Sequence, residues 1–229
     1  MSEFRLELKN ITKVFPGVKA LDRVSFQLLP GEIHAIMGEN GAGKSSFIKV
    51  ITGVHQPDEG SIFMDGRKVE FKTPLEAQRH GIAAIYQHVT SYPHLSVAEN
   101  IFMGGLLQWK EMNRRAEELL RPLGVSFSAT ALMSSLSVAQ QQMVEIAKAL
   151  SMNANIIIMD EPTAALTKSE SEELYRITEA LRDEGTSIIF ISHRLEDMYR
   201  LASRVTVFRD AHYIGTYDAA TITEPELIK

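Results

Sequence analysis

The segment Gly38-Glu39-Asn40-Gly41-Ala42-Gly43-Lys44-Ser45 constrains this chain more than any other. It fits the pattern G-x-x-x-x-G-K-[ST] and stands between an extended run, Glu32–Met37, and a helical stretch from Lys44 to about Gly53. The glycines let the backbone fold tightly, so its N–H groups converge on phosphate oxygens. The positive end of the following helix, which also carries Ser46, points the same way. Lys44 is placed to neutralise β- and γ-phosphate charge, and the Ser45 hydroxyl to ligate Mg²⁺.

Strand and helix signals alternate along the rest of the chain. Phe4, Leu6 and Leu8 alternate with polar residues, Val24–Leu29 reads as extended, and Pro30-Gly31 is the turn before Glu32–Met37. Ile62–Met64 and Val69–Phe71 flank Asp65-Gly66 like a hairpin. Capping boxes, in which a hydroxyl and a later Glu or Gln satisfy free N–H groups, open helices at Thr73–Glu76, Ser96–Glu99, Ser137–Gln140, Thr167–Glu170 and Thr223–Glu226.

From about Ser96 to Leu150 the pattern is helical. A strand (Ile156–Met159), a helix (Ser169–Asp183), a strand (Ile188–Ile191), a helix, and strands near Val205–Phe208 and Tyr213–Thr216 follow. Apolar strands separated by helices predict an α/β fold whose core sheet is mainly parallel and covered on both faces. The expected organisation is one domain over 1–229. Its core is 1–90 and 153–229, with an antiparallel N-terminal β part and a helical subdomain inserted at about 91–152. Lys229 falls about one turn into the last capped helix, so the natural C-terminus is expected further on.

Composition narrows the classes. Lys and Arg number 24 against 29 Asp and Glu, a net charge of −5, which argues against sequence-blind nucleic-acid binding. The absence of cysteine excludes a disulfide frame, a thiolate metal site and a Cys nucleophile. The N-terminus lacks the apolar core of a secretory signal, and the densest apolar runs fall far below the roughly 18–20 residues that span a bilayer. A cytoplasmic location is expected, with any membrane role exerted through a partner.

A Mg²⁺–triphosphate site needs a carboxylate at the end of a neighbouring buried strand. Ile156-Ile-Ile-Met-Asp160-Glu161 supplies two: Asp160 to hold Mg²⁺ and Glu161 as general base for the attacking water. A third apolar strand ends at Ser192-His193, where the imidazole is placed to reach the γ-phosphate and to lock water and Glu161 in position. Gln87 follows the strand Ile82–Tyr86 and is a candidate to ligate Mg²⁺ or orient the water, with the loop His88–Leu95 moving beside it.

The segment Leu136-Ser137-Val138-Ala139-Gln140-Gln-Gln-Met-Val-Glu145-Ile-Ala-Lys-Ala-Leu150 resembles, in degenerate form, the LSGGQ signature of ATP-binding cassette (ABC) ATPases, whose fold is the P-loop NTPase type. Gln87 matches that family's Q-loop, Asp160 and Glu161 its Walker B motif, and His193 its switch histidine. The order and spacing hold over essentially the whole chain. The variants Glu161-Pro-Thr-Ala-Ala-Leu-Thr167 and Ile-Ser-His193-Arg-Leu look like the first cassette of bacterial monosaccharide importers of the ribose, galactose and xylose type.

The resemblance implies ATP and Mg²⁺ as ligands. It implies a second cassette paired head to tail, whose ATP meets Ser137, Val138, Ala139 and Gln140, and an aromatic ring at Phe15 stacked on adenine. Implied further are a membrane permease docked by the loop after Gln87 and the helical block, a periplasmic sugar-binding protein acting indirectly, and no nucleic-acid partner. The protein is then expected on the inner face of the cell membrane. Departures are plain. The signature glycines are Val138 and Ala139, whose Cβ atoms would crowd a backbone meant to approach phosphate, and the D-loop Ala164–Thr167 lacks the usual Ser and Asp. An ABC ATPase uncoupled from transport and a regulatory cassette with little turnover stay open as alternatives.

Overall fold

The computed structural model describes residues 3–87, 91–103 and 108–224. Its strands are β1 (Leu6–Phe15), β2 (Val18–Leu28), β3 (Ile33–Met37), β4 (Glu59–Met64), β5 (Arg67–Val69), β6 (Ile82–Ile85), β7 (Ile156–Asp160), β8 (Ser187–Ile191), β9 (Arg204–Arg209) and β10 (His212–Asp218). Its helices are α1 (Lys44–Ile51), α2 (Pro74–Arg79), α3 (Val97–Ile101), α4 (Trp109–Leu120), α5 (Val138–Ser151), α6 (Lys168–Asp183) and α7 (Leu195–Leu201).

Among the described residues the strands join in the order β5-β4-β1-β2-β10-β9-β3-β8-β7-β6. The half from β9 to β6 is parallel throughout. The half from β5 to β2 is antiparallel, and β10 links the two, antiparallel to β9 and parallel to β2. The turn at Pro30-Gly31 therefore does not make a hairpin. β2 stays in the antiparallel half, whereas β3 pairs with β8 and β9.

The apolar runs explain the parallel half. On β7, Ile156 and Ile158 face one layer, while Ile157 and Met159 face the other. On β8, Ile189 and Ile191 oppose Ile188 and Phe190 in the same way. A strand with core on both sides has no polar side to spare, so it reads as a continuous apolar run. Helix α1 closes one face with Phe47, Ile48 and Ile51, and the Phe47 ring meets Phe26 and Phe208 edge-on at 5.2 and 5.1 Å. Helices α5 and α6 close the other with Met143, Val144, Ile146, Leu174 and Ile177. Full burial of each such side chain contributes about 1.5–3 kcal/mol, and a charge at Ile158 would break the layer.

Between Ser96 and Ser151 the described elements are helical, apart from one isolated bridge, Ser96–Leu132. Complete capping boxes open α3, α5 and α6 at Ser96, Ser137 and Thr167. At α2 the box is only half formed. Thr73 accepts from the Glu76 N–H, but the Glu76 carboxylate accepts from Lys72 N–H instead of closing on Thr73. The box expected at Thr223–Glu226 lies partly outside the described residues, as do the chain end and His88–Thr90 of the loop after Gln87. No helix among the described residues is long and apolar enough to cross a membrane.

Candidate functional site

Parallel pairing sends the carboxyl ends of β3, β6, β7 and β8 to one edge of the sheet, the usual place for a ligand in an open α/β sheet. Each strand end carries candidates: the glycine-rich turn after β3, Gln87 after β6, Asp160 at the end of β7 with Glu161 just after it, and His193 after β8. Residues Glu39, Asn40, Gly41, Gly43, Lys44, Ser45, Ser46, Gln87, Asp160 and Glu161 line one open cavity of about 260 Å³.

Gly41 and Gly43 have φ of 87° and 102°, a region that disfavours side chains, and Gly43 is the N-cap of α1. No side chain caps that helix, so its first N–H groups are left to a ligand. Gly38 and Ala42 form the packed side of the turn: a Cβ at Gly38 would strike the Phe208 carbonyl, and Ala42 is buried. Lys44 is buried, and its Nζ donates to the carbonyls of Gly38 at 2.6 Å and Glu39 at 3.1 Å. The ammonium thus spans the turn.

Glu161 has φ of 51° and its N–H donates to the Ile191 carbonyl at 2.9 Å, which ties β7 to the end of β8. Beyond that tie, the Glu161 Oε2 lies 2.7 Å from His193 Nδ1. The Glu161 side chain is 11% exposed and the His193 ring 63% exposed, so the imidazole leans out from an enclosed carboxylate. Burial pushes the Asp160 carboxyl above its ordinary range. The adjacent Glu161 charge adds to the rise and Lys44 opposes it. The Ser45 hydroxyl, the Gln87 amide and the Asp160 carboxylate are all in this cavity, a hard-oxygen set that fits Mg²⁺.

Phe15 does not itself line the cavity, but it pairs across the β1–β2 ladder with Val18, which does. Half-buried at the end of β1, its ring meets His55 at 5.1 Å, with Lys13 Nζ 5.5 Å from its centroid. Ser137, Ala139 and Gln140 line a different hollow, between α5 and α6, and Val138 is 47% exposed. At that helix start Ser137 Oγ accepts from Gln140 N–H, and the Gln140 side chain accepts from Ser137 N–H. The Thr167 hydroxyl is likewise committed to its own helix, donating to Glu170 at 2.7 Å.

Three residues of the cavity wall escaped the sequence reading: Val18, Lys19 and Ala20. They begin β2 after the turn at Pro16-Gly17, where Gly17 has φ of 82°. That Pro-Gly pair, a hairpin signal between β1 and β2, was the available clue.

Residues 21–164 match the profile of the ABC transporter family. Among curated proteins, the chain is 49% identical over 229 residues to "Putative ribose/galactose/methyl galactoside import ATP-binding protein 1" of Agrobacterium fabrum, covering 97% of this chain and 45% of that protein. It is 50% identical over 220 residues to "Ribose import ATP-binding protein RbsA 1" of Rubrobacter xylanophilus, covering 93% and 44%. The chain spans less than half the length of these relatives. Among solved structures it resembles the ADP conformation of MJ1267, an ATP-binding cassette of an ABC transporter, with a TM-score of 0.87, 28% identity and coverage of 100% and 94%. It also resembles the dimeric structure of MJ0796, a bacterial ABC transporter cassette, with a TM-score of 0.82, 27% identity and coverage of 95% and 100%.

Proposed function

The chain belongs to the ABC transporter family, and from that premise we propose that it is a Mg²⁺-dependent ATPase cassette that energises import of a monosaccharide through a membrane permease. The observation that carries the reading is the His193–Glu161 contact of 2.7 Å at the wall of the cavity that also holds Lys44, Ser45 and Asp160.

The chemistry follows from the chain's own groups. The turn's N–H groups and the α1 dipole hold the phosphates, and Lys44 exchanges its two carbonyl partners for phosphate oxygens. Glu161, enclosed and oriented by His193, draws a proton from the attacking water. His193 keeps that carboxylate in place and offers its other ring nitrogen to the γ-phosphate. Ser45, Gln87 and Asp160 would hold Mg²⁺, which when bound supplies charge neutralisation at the β- and γ-phosphates.

Phe15 is read as the adenine platform. Ser137, Val138, Ala139 and Gln140 are read as the surface that meets ATP on a second cassette, and the dimeric likeness supports that pairing. The names of the relatives support ribose- or galactose-type cargo; a periplasmic binding protein is read as delivering it to the permease. The cassette then sits on the cytoplasmic face of the membrane without entering it. Lys44→Ala tests the core of this reading: ATP binding, followed by titration with a fluorescent ATP analogue, is expected to vanish while the fold persists. Unchanged affinity removes the phosphate-cradle assignment.

A further inference from the structure

Behind the catalytic edge lies a carboxylate that the mechanism above leaves unused. Asp197, in the first turn of α7, is fully buried, as is Thr163, and Ser192 and Tyr175 are nearly so. Its Oδ2 accepts from the Thr163 hydroxyl at 2.6 Å and from the Ser192 hydroxyl at 2.6 Å. Its Oδ1 accepts from the Tyr175 hydroxyl. Thr163 stands two residues after Glu161, and Ser192 one residue before His193. Ser192 Oγ in turn accepts from the Arg194 N–H at 2.9 Å, so the residues on both sides of His193 belong to the same web.

We propose that Asp197 is a positioning residue for hydrolysis: by gripping Thr163 and Ser192 with one buried oxygen, it fixes the separation between Glu161 and His193. The inference rests on the roles given to those two residues above. Among the described residues, apart from the Glu161–His193 contact itself, the two loops are joined by main-chain links, the Asp160–Ile191 end of the β7–β8 ladder and the Glu161 N–H to Ile191 carbonyl bond, which do not constrain where either side chain points. Asp197 acts on the segments that follow Glu161 and flank His193, and so governs their relative rotation. A buried carboxylate satisfied by three hydroxyls holds rigidly, because charge-assisted hydrogen bonds are short and roughly twice as strong as neutral ones.

Asp197→Asn keeps the volume but replaces one acceptor with a donor that faces hydroxyl groups. In ATP hydrolysis by the full-length protein assembled with its permease, kcat is expected to fall at least tenfold while KM for ATP stays within twofold. Tyr175→Phe removes a partner of the same carboxylate on the side away from the catalytic loops. It is expected to lower the melting temperature and leave kcat within twofold. A crystal structure of Asp197→Asn is expected to show His193 Nδ1 and Glu161 Oε2 farther apart than 3.5 Å.

If kcat tracks melting temperature alike in both variants, or if Asp197→Asn leaves kcat and the 2.7 Å contact intact, the proposal is overturned. Absence of hydrolysis by the wild-type protein would overturn the nucleotide reading instead. The contact distance in the variant would still decide what Asp197 does.

Discussion

Gly43→Ala tests whether the phosphate turn is held in its shape by contact with the sheet. A Cβ at Gly43 would stand 2.6 Å from the Ala20 carbonyl oxygen and 3.1 Å from Leu21 Cδ2, while ordinary contact begins at 3.4 Å. The deficit, 3.4 − 2.6, is 0.8 Å, and the opposing atom is main chain and cannot swing aside. Overpacking of this kind costs about 1–3 kcal/mol. The φ of 102° at Gly43 adds strain for any L-residue, about 1–2 kcal/mol. The sum, about 2–5 kcal/mol, lowers the melting temperature of a chain this size by roughly 4–20 °C.

Gly41→Ala is the matched control. Its φ is 87°, but nothing lies within 4 Å of the added atom, so only the strain of about 1–2 kcal/mol applies. The two variants also separate in binding. A turn displaced by 0.8 Å carries an N–H beyond reach of phosphate, and a lost hydrogen bond to a charged group, about 1.5–3 kcal/mol, weakens ATP roughly ten- to hundredfold. Circular dichroism melting and titration with a fluorescent ATP analogue measure both. Equal melting temperatures and equal ATP affinities in the two variants would refute the argument that the Ala20 strand shapes the turn.

Glu161→Gln is expected to keep ATP affinity, abolish turnover and trap a nucleotide-bound pair of cassettes in gel filtration; full turnover removes its role as base. Val138→Gly combined with Ala139→Gly is expected to tighten ATP-dependent pairing, measured by sedimentation, because it takes two Cβ atoms from a surface meant to approach phosphate. No change would mean that the helix start already accommodates them. The chain is expected to lose stability in acid through Glu32. Burial alone would raise that carboxyl, but hydrogen bonds from the Arg204 guanidinium and the Leu29 N–H, with the His34 ring close by, overcome it and hold it at about 2. A depressed carboxyl stabilises the fold above its unfolded value of 4.5 and loses that contribution as pH falls from there toward 2, a loss on the order of 2–3 kcal/mol. Denaturant titrations between pH 6 and 3 check this, and Arg204→Met should flatten the acid limb; an unaltered slope would assign the loss to other groups.

The parts of this fold that read directly from the sequence are those where one physical demand leaves no alternative. Ile156–Met159 and Ile188–Ile191 are apolar on both sides because β7 and β8 are buried on both faces, and the change from apolar to charged at Asp160 marks where the strand leaves the core. Val18, Lys19 and Ala20 were not legible, because Val18 and Lys19 are exposed and show no alternation to announce a strand. Asp197 was illegible for the opposite reason. A carboxylate in the first turn of a helix reads as a complement to the helix dipole, and only folding brings it to Thr163, 34 residues away.

The same distinction bears on how the two faces of the site would work. Lys44, Asp160, Glu161 and His193 stand at or just past strand ends whose positions are set by the parallel ladder, and Glu161 and His193 already touch. At the starts of α5 and α6, Ser137 Oγ accepts from Gln140 N–H and the Thr167 hydroxyl donates to Glu170. On the proposed reading, the chain's own site is therefore organised before a partner arrives. What it offers to a facing site is main-chain N–H groups at α5 beside an exposed Val138. Turning the Thr167 hydroxyl toward a partner's phosphate would break its bond to Glu170 and uncap α6 at a cost of about 1 kcal/mol, whereas the Ser137 hydroxyl can keep accepting from Gln140 N–H while its own proton turns to a phosphate.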